Sequence, residues 1–227
     1  MNELLKMTAH QVKEGKFDKV ILAIGSCEAH GQHLAEGCDT IVSYELSKQV
    51  ADRVPGMLVL PPITVGYSGH YDTFPFTLTF DYETMIHVIY DIVESVLRNG
   101  INKIFLMNGH DGNIAPIEIA ARKIKEKYPD ARIASLPEWW VIAGKLVPEG
   151  TFAVWNGLGH AGEGETSIAY HLFPQWCEPD QATCVVPDHL PEHVDIKWDF
   201  AEITDTAQTG DATVATAAKG KLMNDCL

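Results

Sequence analysis

The stretch Val20-Ile21-Leu22-Ala23-Ile24-Gly25 decides the fold. It holds no polar side chain and ends in glycine, which reads as a strand buried on both faces, as in the middle of a parallel sheet. Glu28 and His30 follow directly, with Asp39 beyond a short loop. A second apolar run, Lys103-Ile104-Phe105-Leu106-Met107, ends the same way, in Asn108-Gly109-His110-Asp111-Gly112-Asn113. In open parallel sheets, ligands bind beyond the carboxyl ends of the strands, so both clusters fall where a site is built. A third cluster, His160-Ala161-Gly162-Glu163-Gly164-Glu165-Thr166-Ser167, opens a helix whose loop can lie over the same edge. Histidine and carboxylate in all three places suit a pair of divalent cations, an arrangement usual in hydrolysis.

Outward from these runs the pattern alternates. Thr40 to Val54 reads as a helix, Met57 to Leu60 as a strand stopped by Pro61-Pro62, and Tyr82 to Asn99 as a helix closed by Gly100. Pro116 to Tyr128 is a helix with proline in its first turn, Ala131 to Leu136 a strand ending at Trp139-Trp140, and Glu163 to Leu172 a helix. Ala182 to Val186 is read as a fifth strand, and Gly210-Asp211 as the cap of a final helix. Apolar strands separated by helices describe an α/β fold with a mostly parallel sheet covered by helices on both faces. The 227 residues suit a single domain spanning 1–227, with no repeat and no linker.

Composition narrows the partners. A formal net charge of -14 disfavours nucleic acid, whose phosphates need Lys and Arg, and anionic membrane surfaces. No apolar run approaches the roughly 20 residues that span a bilayer, and the first residues lack the layout of a signal peptide. Five scattered cysteines argue against a disulfide framework and for a reducing cytoplasm. Cys27 and Cys38 lie beside the candidate ligands, but among oxygen and imidazole donors they read as small buried side chains.

Glu28 and His30 are two apart, so in extended backbone both face one side. Asp39 is read either as a helix cap or as a ligand, and its two oxygens permit both. His110 sits between glycines in a turn that needs no histidine for its geometry, which makes it a ligand candidate; Asn108 and Asn113 are expected to brace that turn by side-chain-to-backbone bonds. One glutamate in the third cluster is explained by the helix dipole alone, but the neighbouring histidine is not. His10, His87, His171, His189 and His193 lack such company and read as surface or core residues. His33 and His70 are intermediate, and the Trp139-Trp140 pair either walls a pocket or packs on the sheet.

Residues 25–34 with Asp39, then 108–113, then 160–167, together with Gly210-Asp211 through Lys219-Gly220, resemble the creatininase (creatinine amidohydrolase) family over roughly residues 18–220. The resemblance implies a creatininase-like three-layer sandwich and a homo-oligomer, often a hexamer. It implies two divalent ions, zinc, manganese or iron: one on Glu28, Asp39 and His110, the other on His30, Asp39 and Glu165, with Asp39 bridging. Glu165 rather than Glu163 matches the family ligand, and His160 resembles the family's proton-transfer histidine. Ser68, His70, Asp111 and Trp140 are the expected substrate contacts. The chain departs from the pattern at Gly112, where creatininases proper carry a glutamate, and at His70-Tyr71, where a Glu-His pair is commoner. The expected activity is hydrolysis of a C–N bond in a small non-peptide or cyclic amide. The family also holds a formamide deformylase and a peptidase, and a metal-binding protein without turnover is the alternative from another class. Phosphoester hydrolysis would want Lys or Arg for the phosphate, and the three clusters contain neither.

Overall fold

The computed structural model describes residues 2–187, 194 and 196–227. Its segments cluster into two compact units. One comprises Met1–Ser26, Asp39–Tyr67 and Thr79–Glu138; the other comprises Cys27–Cys38, Ser68–Leu78 and Trp139–Leu227. The regular elements, in chain order, are α1 (Ala9–Glu14), β1 (Lys19–Ile24), α2 (Cys38–Arg53), β2 (Met57–Val59), α3 (Tyr82–Arg98), β3 (Lys103–Asn108), α4 (Ile114–Lys127), β4 (Arg132–Leu136), α5 (Trp139–Leu146), α6 (Glu163–Leu172), β5 (Cys184–Val185), β6 (Gly210–Asp211) and α7 (Ala217–Cys226). No helix among the described residues is long and apolar enough to cross a membrane.

The first unit is a parallel sheet of order β2-β1-β3-β4. β1 is central, and Val20 to Ile24 are each at most 1% exposed, as an unbroken apolar run requires. Alternate residues of β1 divide between the faces. Val20, Leu22 and Ile24 join one core with Met85, Ile89 and Val93 of α3 and Ile117, Ala120 and Ile124 of α4. Ile21 and Ala23 point to the other face and are also fully buried, as are Val42 and Leu46 of α2. The β1-to-β2 and β2-to-β3 connections run in opposite directions across the sheet. Right-handed crossovers therefore place α2 on one face and α3 with α4 on the other. This is the parallel sheet with helices on both faces that the alternation led us to expect.

Local chemistry sets the helix ends. Asp81 caps α3 by accepting from the Thr84 N–H at 2.6 Å. The buried stripe Met85, Ile89, Val93, Val96 follows at helical spacing. Gly100, at φ +85°, turns the chain after α3. The direction reversal between β1 and β3 makes their carboxyl ends the switch point of the sheet, the edge where such folds place their ligands. Ile24 and Asn108 are in register there, and Asp39 enters in the first turn of α2. A Cβ on Gly109 would overlap the Asp39 carbonyl oxygen, so only glycine lets β3 end this close to α2.

The second unit holds the loop 27–38, α5, α6, α7 and an antiparallel pair, β5 with β6. α7 is capped by Thr216, whose side chain accepts from the Lys219 N–H. Three expectations are corrected here. The expected strand over Ala182 to Val186 does not join the parallel sheet; only Cys184 and Val185 pair, with Gly210 and Asp211. Pro179 and Pro187 bracket that segment and remove ladder donors. Gly210-Asp211 forms a strand; Asp211 also caps a helical turn over Ala212–Val214, accepting from the Thr213 N–H at 3.0 Å, and the last helix begins only at Ala217. Trp139 and Trp140 do not end β4. Pro137 cannot extend the ladder, and the two tryptophans open α5. His189 and His193 lie outside the described residues, whereas His10 and His87 are exposed and His171 is half-buried.

The central strand sets a stability test. Leu22→Ala should lower unfolding free energy by about 2–5 kcal/mol in urea titration, whereas Ile119→Ala, at a position 45% exposed on α4, should change it by less than about 0.5 kcal/mol. Equal effects would contradict the placement of β1 at the centre of the core.

Candidate metal centre

In the first unit the donors are Asp39 and His110, each 3% exposed. His110 follows β3, and its ring is fixed at both nitrogens. Nε2 lies 2.7 Å from the Tyr67 carbonyl oxygen. A carbonyl only accepts, so Nε2 carries the hydrogen. Nδ1 lies 3.0 Å from Asp39 Oδ2. In the neutral ring that nitrogen presents a lone pair to a carboxylate, a contact that a proton or a cation must bridge. The same carboxylate oxygen accepts from Ser26 Oγ at 2.8 Å. Asp39 thus acts inside the first turn of α2 and not as its cap.

The turn around His110 is braced by two asparagines. Asn108 Nδ2 donates to the carbonyls of His110 (2.6 Å) and Pro137 (2.9 Å), and its Oδ1 accepts from the His110 N–H at 3.2 Å. Asn113 Nδ2 donates to Gly25 O at 2.9 Å, and its Oδ1 accepts from the Tyr67 N–H at 3.0 Å. These are the bracing bonds the sequence led us to expect. They carry the Tyr67 carbonyl to His110. A Cβ on Gly112 would overlap that carbonyl oxygen and crowd His110 Nε2. Gly112 is therefore filled space, closed to a glutamate. Asp111 beside it is exposed.

In the second unit Glu28, His30 and His160 offer donor atoms that all lie within 4.8 Å of one another. Glu28 and His30 are fully buried. His30 Nδ1 is 3.1 Å from the Glu28 carbonyl, so Nδ1 holds a hydrogen. His160 Nε2 donates to the Ala29 carbonyl at 2.7 Å, and its Nδ1 stands 4.0 Å from Glu28 Oε1. The His160 ring is walled by His30, Tyr71 and Phe200, with centroids at 4.2, 4.5 and 5.2 Å.

The two glutamates of α6 have different duties. Glu163 is fully buried; it accepts from the Ala153 N–H at 2.7 Å and pairs with Lys219. Glu165 accepts from the Ala161 N–H at 2.7 Å through Oε2. Ser68 is buried and His70 packs on Tyr71 at 4.3 Å. Trp140 meets Trp139 edge-on at 5.8 Å. Burial first, then the Glu36 and Glu28 carboxylates, push the Cys27 thiol above its usual range, which keeps it protonated and a poor ligand. Burial, and less so the charge of His30, pulls the His33 imidazole down to about 4.

Sequence reading missed Ser26, the Tyr67 carbonyl, Tyr71 and Phe200. Ser26 had a signal, as the first polar residue after β1. A main-chain carbonyl leaves none, and Phe200 lies outside every motif.

The comparisons agree over nearly the whole chain. The sequence model of the creatininase family, described as creatinine amidohydrolase, matches residues 5–227. A creatinine amidohydrolase of Pseudomonas putida is 29% identical over 219 residues, 90% of this chain and 83% of that protein. A mycofactocin precursor peptide peptidase of Mycobacterium ulcerans (strain Agy99) is 26% identical over 242 residues, 100% of this chain and 90% of that protein. Among solved structures, a manganese creatininase superposes with a TM-score of 0.81 at 27% identity, covering 99% of this chain and 93% of its own. A mutant creatininase of Zn-Zn type gives 0.80 at 28%, with the same coverage.

Two outcomes are expected from this geometry. Gly112→Ala should weaken divalent-metal affinity by about 10- to 100-fold in a chelator competition, because it displaces the carbonyl that orients His110; unchanged affinity would contradict that role. His33 should also make the metal-free protein acid-sensitive. The unfolded ring takes its proton near pH 6.5 and the folded ring only near 4, so stability falls as pH drops through that window. Denaturation of a His33→Gln variant should show a shallower fall; an identical slope would contradict the burial of a neutral ring.

Proposed function

The chain belongs to the creatininase family, and on that premise we propose that it hydrolyses a C–N amide bond in a small linear or cyclic substrate, using two divalent cations. Glu28, Asp39 and His110 would hold one ion, and His30, Asp39 and Glu165 the other, with Asp39 between them. Zinc, manganese and iron all suit this mixture of imidazole and carboxylate. The reading treats residues 1–227 as one working domain.

The observation that carries the reading is the His110 contact. With Nε2–H given to Tyr67, the 3.0 Å approach of Nδ1 to Asp39 is what a shared cation would require. His30 gives its Nδ1–H to the Glu28 carbonyl, which sets the tautomer of its ring. Glu165 is taken over Glu163 as the ligand from α6 because its place in the third motif matches the family ligand.

When bound, the cations would supply a nucleophilic water ionised near neutral pH and an electrophile for the substrate carbonyl. The chain's own part follows from hydrogen positions. His160 gives its Nε2–H to Ala29, so Nδ1 would take up the proton released by the attacking water and pass it to the departing nitrogen. Glu28, 4.0 Å from that atom, stabilises the ring while it carries the proton. Such a donor contributes about 10²- to 10⁴-fold in rate. Tyr71 and Phe200 shield the ring from bulk water. Ser26 orients Asp39.

Peptide cleavage is a second reading. The mycofactocin peptidase match spans 100% of this chain, and the filled space at Gly112 speaks against creatinine itself.

Purified protein should turn over at least one member of a panel of cyclic amides, formamides and short peptides. Activity should vanish with chelator and return with zinc, manganese or iron. His160→Asn should lower kcat by about 10²- to 10⁴-fold while metal content is kept. Turnover indifferent to chelator would contradict the mechanism, and bound metal without turnover across the panel would point to a binding protein.

A further inference from the structure

The mechanism above leaves His33 unused, yet the ring is 1% exposed and its Nδ1 has no hydrogen-bond partner among the described residues. Such an atom is costly to bury, so the ring must be held for its other nitrogen. Nε2 lies 2.8 Å from Thr166 Oγ1. The Thr166 hydroxyl in turn donates to the Ala161 carbonyl at 3.0 Å. A hydroxyl has one hydrogen, and here it is spent on a group that can only accept. His33 must therefore be the donor, as the Nε2–H tautomer.

Ala161 is the reason such a chain matters. It is fully buried and has φ +49°, a left-handed conformation that a side-chain-bearing residue resists. Its N–H goes to Glu165 and its carbonyl to Thr166. The preceding residue, His160, is tied through its own N–H to Thr209 Oγ1 at 3.0 Å and through its carbonyl to the Thr209 N–H at 2.9 Å. The strained turn that aims the His160 ring is thus pinned on both sides. The bonds also close a circuit. His160 rides on Ala161, and its ring acceptor, Ala29, rides on the loop that carries His33. The backbone of that loop is anchored by Gly31 N–H to Ala207 O and by Glu178 N–H to His33 O, both at 2.8 Å. The His33–Thr166 bond joins the two arms whose separation sets the His160–Ala29 contact.

We propose that His33 is a positioning residue: through Thr166 it holds the strained Ala161 turn and so fixes the direction in which His160 presents Nδ1. The catalytic part rests on the amide-hydrolase reading; the tautomer and the circuit do not.

The test uses the full chain with ¹⁵N-labelled histidine. Ring spectra should show His33 protonated at Nε2 only, and a His160 Nε2–H signal shifted by its bond to Ala29. Thr166→Val should move that His160 signal. It should also lower kcat by about 10- to 100-fold, the scale of a small misalignment, with KM and metal content kept. Thr166→Ser, which keeps the hydroxyl, should restore both signal and kcat. A His33 ring protonated at Nδ1, or a Thr166→Val protein with an unmoved His160 signal and full kcat, would overturn the proposal. Should Thr166→Val not fold, His33→Leu offers the same comparison, with His33→Gln as the donor-keeping rescue. Failure of the amide-hydrolase reading would look different: the His160 signal would still move, while His160→Asn left turnover untouched.

Discussion

One contact organises the first compact unit: a buried imidazole nitrogen facing a buried carboxylate oxygen, His110 Nδ1 and Asp39 Oδ2 at 3.0 Å. The other ring nitrogen is already committed to a carbonyl, so the ring cannot turn to relieve the pair. Two electron-rich atoms held this way in a low-dielectric interior are tolerable only with positive charge between them. Much of the surrounding architecture serves to hold them there. β1 and β3 end level with each other, Gly109 lets α2 start against β3, and Gly112 makes room for the Tyr67 carbonyl. Asn108 and Asn113 then tie three strand ends together through their amides. The sheet is ordinary in its packing; what is particular is how much hydrogen bonding is concentrated at one edge.

The second unit follows the same logic with different parts. His30 and His160 are each fixed by a carbonyl of the same short stretch, Glu28 and Ala29. In both cases a main-chain acceptor sets which ring nitrogen carries a hydrogen. The neighbouring acids are sorted by their partners: Glu163 is absorbed by Lys219 and stabilises the fold, while Glu165 caps the strained Ala161.

How much of this could be read from sequence depended on range. The apolar run at Val20 to Gly25, the stripe of α3 and the proline near the start of α4 act through neighbours a few residues away, and each gave the correct element. The Asn108–Asn113 turn was legible because its glycines and amides are adjacent in the chain. The failures are non-local. Trp139 and Trp140 carry strand-like aromatic character, but the helix they open is set by Pro137 and by packing within the second unit. β5 is too short to pattern, and its partner is more than twenty residues away. His33 looked indeterminate because its meaning lies in a hydroxyl 133 positions later. Gly112 read as a missing glutamate, and only the position of a distant carbonyl shows that the space is taken.

The central claim is that Asp39 is shared by two cations. Elemental analysis of the purified protein and of Asp39→Asn, which keeps the shape and removes the charge, tests it most directly. The account predicts about two divalent ions per chain in the native protein, as in a paired-ion site, and loss of both or retention of a single weak one in the variant. Full metal content in Asp39→Asn, or a native chain that takes up no divalent ion from a metal-replete buffer, would contradict it.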